Sequence, residues 1–348
     1  MSGSSAVDSE PARVATPSVL RSQVAVASLF GALGFGYGTW TSRLPAIKAS
    51  LGLSNSQVSV VLLSAAIGSI LSFPVTATAL HKLGSRGASL LTGCLIPVGL
   101  IGLSLAPSWL MACVVMCLYG VVASTMDVAM NAQGVEVERA TGVPVMSRLH
   151  AAFSLGTWAG AFFAFCITDF SSSVPLHFIV AALIVLVATL LPRAGLIADA
   201  KAIDGGTRSF ALPRGAALLI GAMAFLAMIA EGSMADWSTL YLKERAGATQ
   251  QVATLGIASL QGAMLVTRWF GDRARVRWGA RRLLFGGSLL AGLSLAAALL
   301  LGGIWPALLG FGLFGIGVAT VSPCVYAAGA REGGVALAVL SRRVRWDD

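Results

Sequence analysis

The chain has 348 residues, 56% of them apolar and only 11% charged, with a mean hydropathy of +0.82. Soluble domains carry about 25% charged residues, so this composition excludes an ordinary water-soluble domain and describes an all-α integral membrane protein. The net charge of +9 does not call for nucleic acid, because the basic residues are scattered over short loops instead of gathered on one folded domain.

A bilayer core roughly 30 Å thick takes about 20 apolar residues per helix. Runs of that kind are predicted near 23–40, 57–80, 88–106, 109–134, 150–168, 175–192, 214–235, 252–270, 283–303 and 305–328, about ten transmembrane helices in all. The runs lack the period of two that an outer-membrane barrel strand requires. Residues 1–22 form a polar, Ser-rich tail. The apolar run behind it is too long for a signal-peptide core, so the first helix is expected to remain as an anchor. Ser54 is a fitting N-cap for the second span.

With the N-terminus in the cytoplasm, 20 of the 24 basic residues fall on inner segments and 4 on outer loops, as the positive-inside rule demands. The multi-pass chain is therefore expected to keep its N-terminus on the cytoplasmic side. All five cysteines, Cys94, Cys113, Cys117, Cys166 and Cys324, lie in predicted spans without metal spacing, and they read as packing residues. Gly34-x-x-x-Gly38 and Gly156-x-x-x-Gly160 suit close helix contact.

Two halves follow from the loops. The linker 193–213 separates a six-helix half, 23–192, from a four-helix half, 214–334. After the second span the chain reads Lys82-Leu-Gly84-Ser-Arg86, and after the eighth, Arg277-Trp-Gly279-Ala-Arg281. A glycine between cations suits a tight inner turn with an unusual backbone angle. These loops resemble the G-x-L-A-D-R-x-G-R-R motif of the major facilitator superfamily (MFS). His81 and Val276 stand where the family has Asp. Arg268 and Asp272, one helical turn apart, are expected to supply the missing acid and to join the gating loops. Leu44-Pro-Ala-Ile-Lys48 and Leu53-Ser-Asn-Ser-Gln57 resemble the fucose permease branch, as does Asp127-x-x-x-Asn131, which falls on that branch's Glu-x-x-x-Asn pattern. Thr41 replaces the branch's helix 1 acid, which speaks against fucose itself. The resemblance, to uncharacterised bacterial members near that branch, implies an MFS-type two-half helical bundle and a secondary transporter.

The polar residues inside the spans are the site candidates. Asp127 and Asn131 share one helix face, and Gln133 follows; Asn131 and Gln133 are expected to bind solute hydroxyls. Polar faces of membrane helices point to bundle interiors or water-filled cavities. Asp127 is either a proton carrier or a residue joining helices 4 and 5. Glu231, deep in the seventh span, is the second acid, while Asp236 is expected at the interface. Trp158 lies mid-span, placed to stack on a sugar or to fill core. His150 is placed either to relay protons or to sit solvated at the inner surface. Trp40, Trp109, Trp237 and Trp305 are expected in the interfacial belts, and Arg43 is expected to snorkel outward.

Gly310-Phe-Gly-Leu-Phe-Gly315 has the letters of a dinucleotide fingerprint but sits inside a span, and the chain carries no Walker A loop or hydrolase motif. No enzyme activity, cofactor or metal is expected. The tail 335–348 holds only six consecutive apolar residues before a charged ending, too few to span a bilayer. It is expected to be aberrant, with the chain stopping after ten of twelve helices. The expected partners are a small-molecule solute, protons and the lipid bilayer, and the protein is expected to act as a monomer. The expected function is proton-coupled symport of a small polar solute, with sugar a candidate; a non-transporting truncated protein and a drug or metabolite exporter are the alternatives.

Overall fold

The computed structural model describes residues 18–142, 145–198 and 216–319. Eleven α-helices follow one another, α1 (Val19–Ser42), α2 (Leu44–Leu51), α3 (Asn55–Ser104), α4 (Trp109–Thr141), α5 (Met146–Phe170), α6 (Val174–Leu190), α7 (Ala216–Glu244), α8 (Gln250–Ala253), α9 (Leu255–Trp278), α10 (Ala280–Leu301) and α11 (Ile304–Ala319). No strand occurs among the described residues. Helix α3 is two spans joined at Gly84, and α2 and α8 are short, which leaves the ten expected spans. Six helices are long and apolar enough to cross a membrane by length and composition, α3 among them counted once. The end of the tenth span beyond Ala319 and the tail 335–348 lie outside the described residues, as does most of the linker.

The turns follow local chemistry. Ser54 caps α3 through a capping box: its hydroxyl accepts from the Gln57 backbone N–H at 3.2 Å, and the Gln57 side chain accepts from the Ser54 N–H at 2.9 Å. Gly84 (φ 67°, ψ 176°) and Gly279 (φ 78°, ψ 150°) adopt nearly the same left-sided conformation. That region is open to glycine almost alone, so the two loops turn alike as their shared pattern requires. Helix α2 is an addition to the expected spans: Pro45 opens it and Gly52 (φ 63°) closes it.

Glycine governs how closely the helices approach. The Gly34/Gly38 row of α1 meets the Gly156/Gly160 row of α5. A Cβ on Gly34 or Gly38 would strike the Phe153 or Thr157 backbone, and one on Gly156 or Gly160 the Gly31 or Phe35 backbone. Both rows therefore bring backbone against backbone, the contact that small residues permit in lipid. Gly68 and Gly120 seat α3 on α4 in the same way, Gly68 against the Cys117 carbonyl. Buried apolar residues form two clusters, one drawn almost wholly from α1–α6 and one from α7–α11. Leu240 belongs to the first and Ala161 to the second, and these crossings mark where α7 and α5 meet.

Two expectations at the span ends are corrected. Arg43 is fully buried: Nη1 donates to Thr168 Oγ1 at 2.6 Å and Nη2 to the Ser172 carbonyl. A guanidinium between α1 and the α5–α6 turn finds bonds there that water would otherwise supply, so it does not snorkel. Trp40 is 3% exposed and lies edge-on between Tyr37 and Tyr119, at 5.4 and 6.3 Å. It is core. Trp305 is 76% exposed, whereas Trp109 donates its indole N–H to the Gln57 carbonyl at 3.1 Å.

Candidate functional site

The polar groups of the seventh and eighth spans gather against α5. Arg268 of α9 donates from Nη1 to Ser154 Oγ of α5 at 2.5 Å and from Nη2 to Glu231 of α7 at 3.2 and 3.4 Å. Both charged side chains are shielded, 16% exposed for Arg268 and 21% for Glu231. A cation and an acid in an apolar bundle persist only when each supplies the other's missing hydration. Ser154 extends this pair across the boundary between the two clusters. Arg268 therefore leaves the gating loop to which its spacing assigned it: its side chain reaches inward to α5 and α7. The side chain of Asp272 lies outside the described residues.

His150 stands one helical turn before Ser154 on α5 and so shares its face; its ring meets Phe30 edge-on at 5.3 Å. One turn beyond Ser154, Trp158 stacks on Phe162 with centroids 5.3 Å apart and packs over Gly262 of α9, where a Cβ would come within 3.0 Å of the indole. Beside Gly262, Gln261 is 2% exposed and its Oε1 has no partner. Four of the sequence candidates, Glu231, Arg268, Trp158 and His150, are thus brought to one seam with Ser154.

Farther along α7, toward the α2 end of the bundle, three contacts tie the seam shut. The Tyr37 hydroxyl donates to Asp236 Oδ1 at 2.8 Å, and Thr239 Oγ1 donates to the Thr41 carbonyl at 3.0 Å. Lys48 of α2 pairs with Glu244 and also meets Asn55. Asp236 is accordingly a link between α1 and α7 and not an interfacial residue. Sequence reasoning missed Tyr37, although a phenol within Gly-Phe-Gly-Tyr-Gly (residues 34–38) is a visible polar handle amid small residues.

Asp127 and Asn131 stand outside this cluster. Asp127 is exposed, and Asn131 Nδ2 donates to its backbone carbonyl at 2.8 Å and to Oδ1 at 3.3 Å. They share a face as their spacing required. Gln133 is fully buried: Nε2 donates to Ser85 Oγ at 2.7 Å and to the Ile197 carbonyl at 2.8 Å, and Oε1 accepts from the Ile197 N–H at 3.1 Å. Both of its N–H donors are taken by protein, so it stitches α4 to α3 and to the chain after α6. Solute binding at Gln133 is corrected to this structural task. Among the described residues no group of three or more His, Cys, Asp or Glu side chains is placed to hold a metal ion.

Residues 24–340 match the Major Facilitator Superfamily. An uncharacterised MFS-type transporter of Yersinia pestis is 31% identical over 310 residues, covering 89% of this chain and 80% of that protein. Among solved structures, a point mutant of the nucleoside transporter NupG superposes with a TM-score of 0.67 at 11% identity, covering 89% of this chain and 82% of that one. The MFS transporter FucP in its outward conformation gives 0.62 at 16%, covering 88% and 83%. At such identities these two likenesses show the fold alone. The chain is a multi-pass membrane protein that belongs to the Major Facilitator Superfamily.

Proposed function

We propose that this chain is a proton-coupled secondary transporter of a small hydroxyl-bearing solute, working by alternating access between its two halves, 23–192 and 214–334. The observation that carries the reading is the Glu231–Arg268–Ser154 cluster, which places a charged pair on the seam between the halves. Ionisable residues deep in a membrane bundle are costly to bury and mark functional sites by default. A solute hydroxyl that competes for the Arg268 guanidinium releases the Glu231 carboxylate to take a proton. Trp158 offers an apolar face for a sugar ring.

The contacts Tyr37–Asp236, Thr41–Thr239 and Lys48–Glu244 close one end of the seam, so this conformation is read as open toward the opposite, cytoplasmic end. Lys82, Gly84 and Arg86, with Arg277, Gly279 and Arg281, flank the inner turns that move with each half. Asp127 is proposed as a second proton carrier, with Asn131, which bonds it, offering its amide to solute hydroxyls; His150, on the Ser154 face of α5, is proposed as a relay at the seam. The reading takes the membrane to be a bacterial inner membrane with the N-terminus on its cytoplasmic side, which the excess of basic residues on the inner loops supports.

The test uses proteoliposomes with an imposed pH gradient and tritiated uridine or glucose. Uptake should follow the gradient and collapse with a protonophore. Unchanged pH-dependent uptake by Asp127→Asn would remove Asp127 from the coupling path, and absence of uptake of both solutes by the wild-type chain would remove the substrate class.

A further inference from the structure

A groove of about 460 Å³ lies between α9, α10 and α11 at the Gly279 turn. Its mouth carries Arg273, Arg277 and Arg282, with the 53% exposed Trp278 beside them. No ion pair is formed by these three arginines among the described residues. Deeper, the walls are Thr267, Phe270, Leu283, Leu290 and Ile316. From Arg282 to Leu290 the walls run about 12 Å along α10, at 1.5 Å per residue. Gly286 and Gly287 keep the floor low, and a Cβ on Gly286 would meet nothing within 4 Å.

This arrangement is graded: cations and an indole at the membrane surface, hydrocarbon below. A soluble anion would use only the mouth. An amphiphile with a negative head and an aliphatic chain would use both, and basic pockets between helices at the cytoplasmic face suit anionic headgroups. We propose that the groove binds an anionic phospholipid, its phosphate on Arg273, Arg277 and Arg282 and one acyl chain over Gly286 between Phe270 and Leu290. The three arginines sit in the last turns of α9 and the first of α10, so a bound headgroup clamps the Gly279 turn.

The test is thermal unfolding of the full chain in detergent with added phosphatidylglycerol, phosphatidylcholine or inorganic phosphate, paired with native mass spectrometry. Phosphatidylglycerol should raise the midpoint by roughly 3–6 °C at saturation and remain as a bound adduct. Each Arg→Gln change at 273 or 282 should weaken its binding about fivefold. Gly286→Leu leaves every charge in place but fills the floor, and it should abolish the adduct while the chain still folds. Equal stabilisation by phosphatidylcholine, stabilisation by phosphate alone, or a full adduct on Gly286→Leu would each overturn the proposal.

Discussion

Replacing Gly156 by leucine places a branched side chain where α1 and α5 share a backbone contact. A Cβ there lies 2.9 Å from both Cα and C of Gly31 and nearer still to its carbonyl oxygen. Carbon atoms at ordinary separation stand about 3.5 Å or more apart, so the helices must part by more than about half an ångström. The Gly34, Gly38 and Gly160 contacts lie in the same row and loosen with it. Overpacking of this kind costs about 1–3 kcal/mol. Gly292 of α10 is the matched control, because a Cβ there meets nothing within 4 Å. Both changes gain the same helix propensity, about 0.8 kcal/mol, which cancels between them. Reversible unfolding in mixed micelles with rising SDS should therefore find Gly156→Leu less stable than Gly292→Leu by about 1–3 kcal/mol. Equal stability would refute the claim that glycine sets the α1–α5 distance.

Further outcomes follow from other residues. Arg43→Ala removes two bonds from a buried guanidinium, each on the order of 1.5–3 kcal/mol; unfolding should show a loss of about 3 kcal/mol, and Arg43→Lys should restore little of it because a point charge cannot serve both acceptors. Gly84→Ala and Gly279→Ala force a side chain into a conformation that costs about 1–3 kcal/mol, so both should lower the unfolding midpoint by similar amounts. Tyr37→Phe removes the hydrogen bond to Asp236; cysteine labelling of positions along the α2 end of the seam should quicken, since one of its three ties is lost.

What the sequence made legible was periodic or local. The glycine rows of α1 and α5 stand out by spacing, and the structure sets one against the other. Gly84 and Gly279 are marked by flanking cations, and Ser54 by Gln57 three residues on. What stayed hidden was pairing across long stretches of chain. Arg43 lies near a span end, where an arginine ordinarily reaches water; its partners Thr168 and Ser172 are 125 and 129 residues away. Arg268 has an acid four residues on, yet bonds Ser154 and Glu231, 114 and 37 residues distant. Gln133 reads as a solute ligand in sequence because an amide in a span signals function or adhesion equally, and only the fold, by bringing Ser85 and Ile197 to it, separates the two.

The central claim is that the Glu231–Arg268 pair links solute binding to proton movement. It is tested most directly by comparing wild type and Glu231→Gln in two assays on the same proteoliposomes, solute uptake driven by a pH gradient and equilibrium exchange of labelled for unlabelled solute. The account predicts that Glu231→Gln loses gradient-driven accumulation at least about tenfold while exchange persists, since the amide still bonds Arg268 but carries no proton. Accumulation at the wild-type level in Glu231→Gln would contradict it.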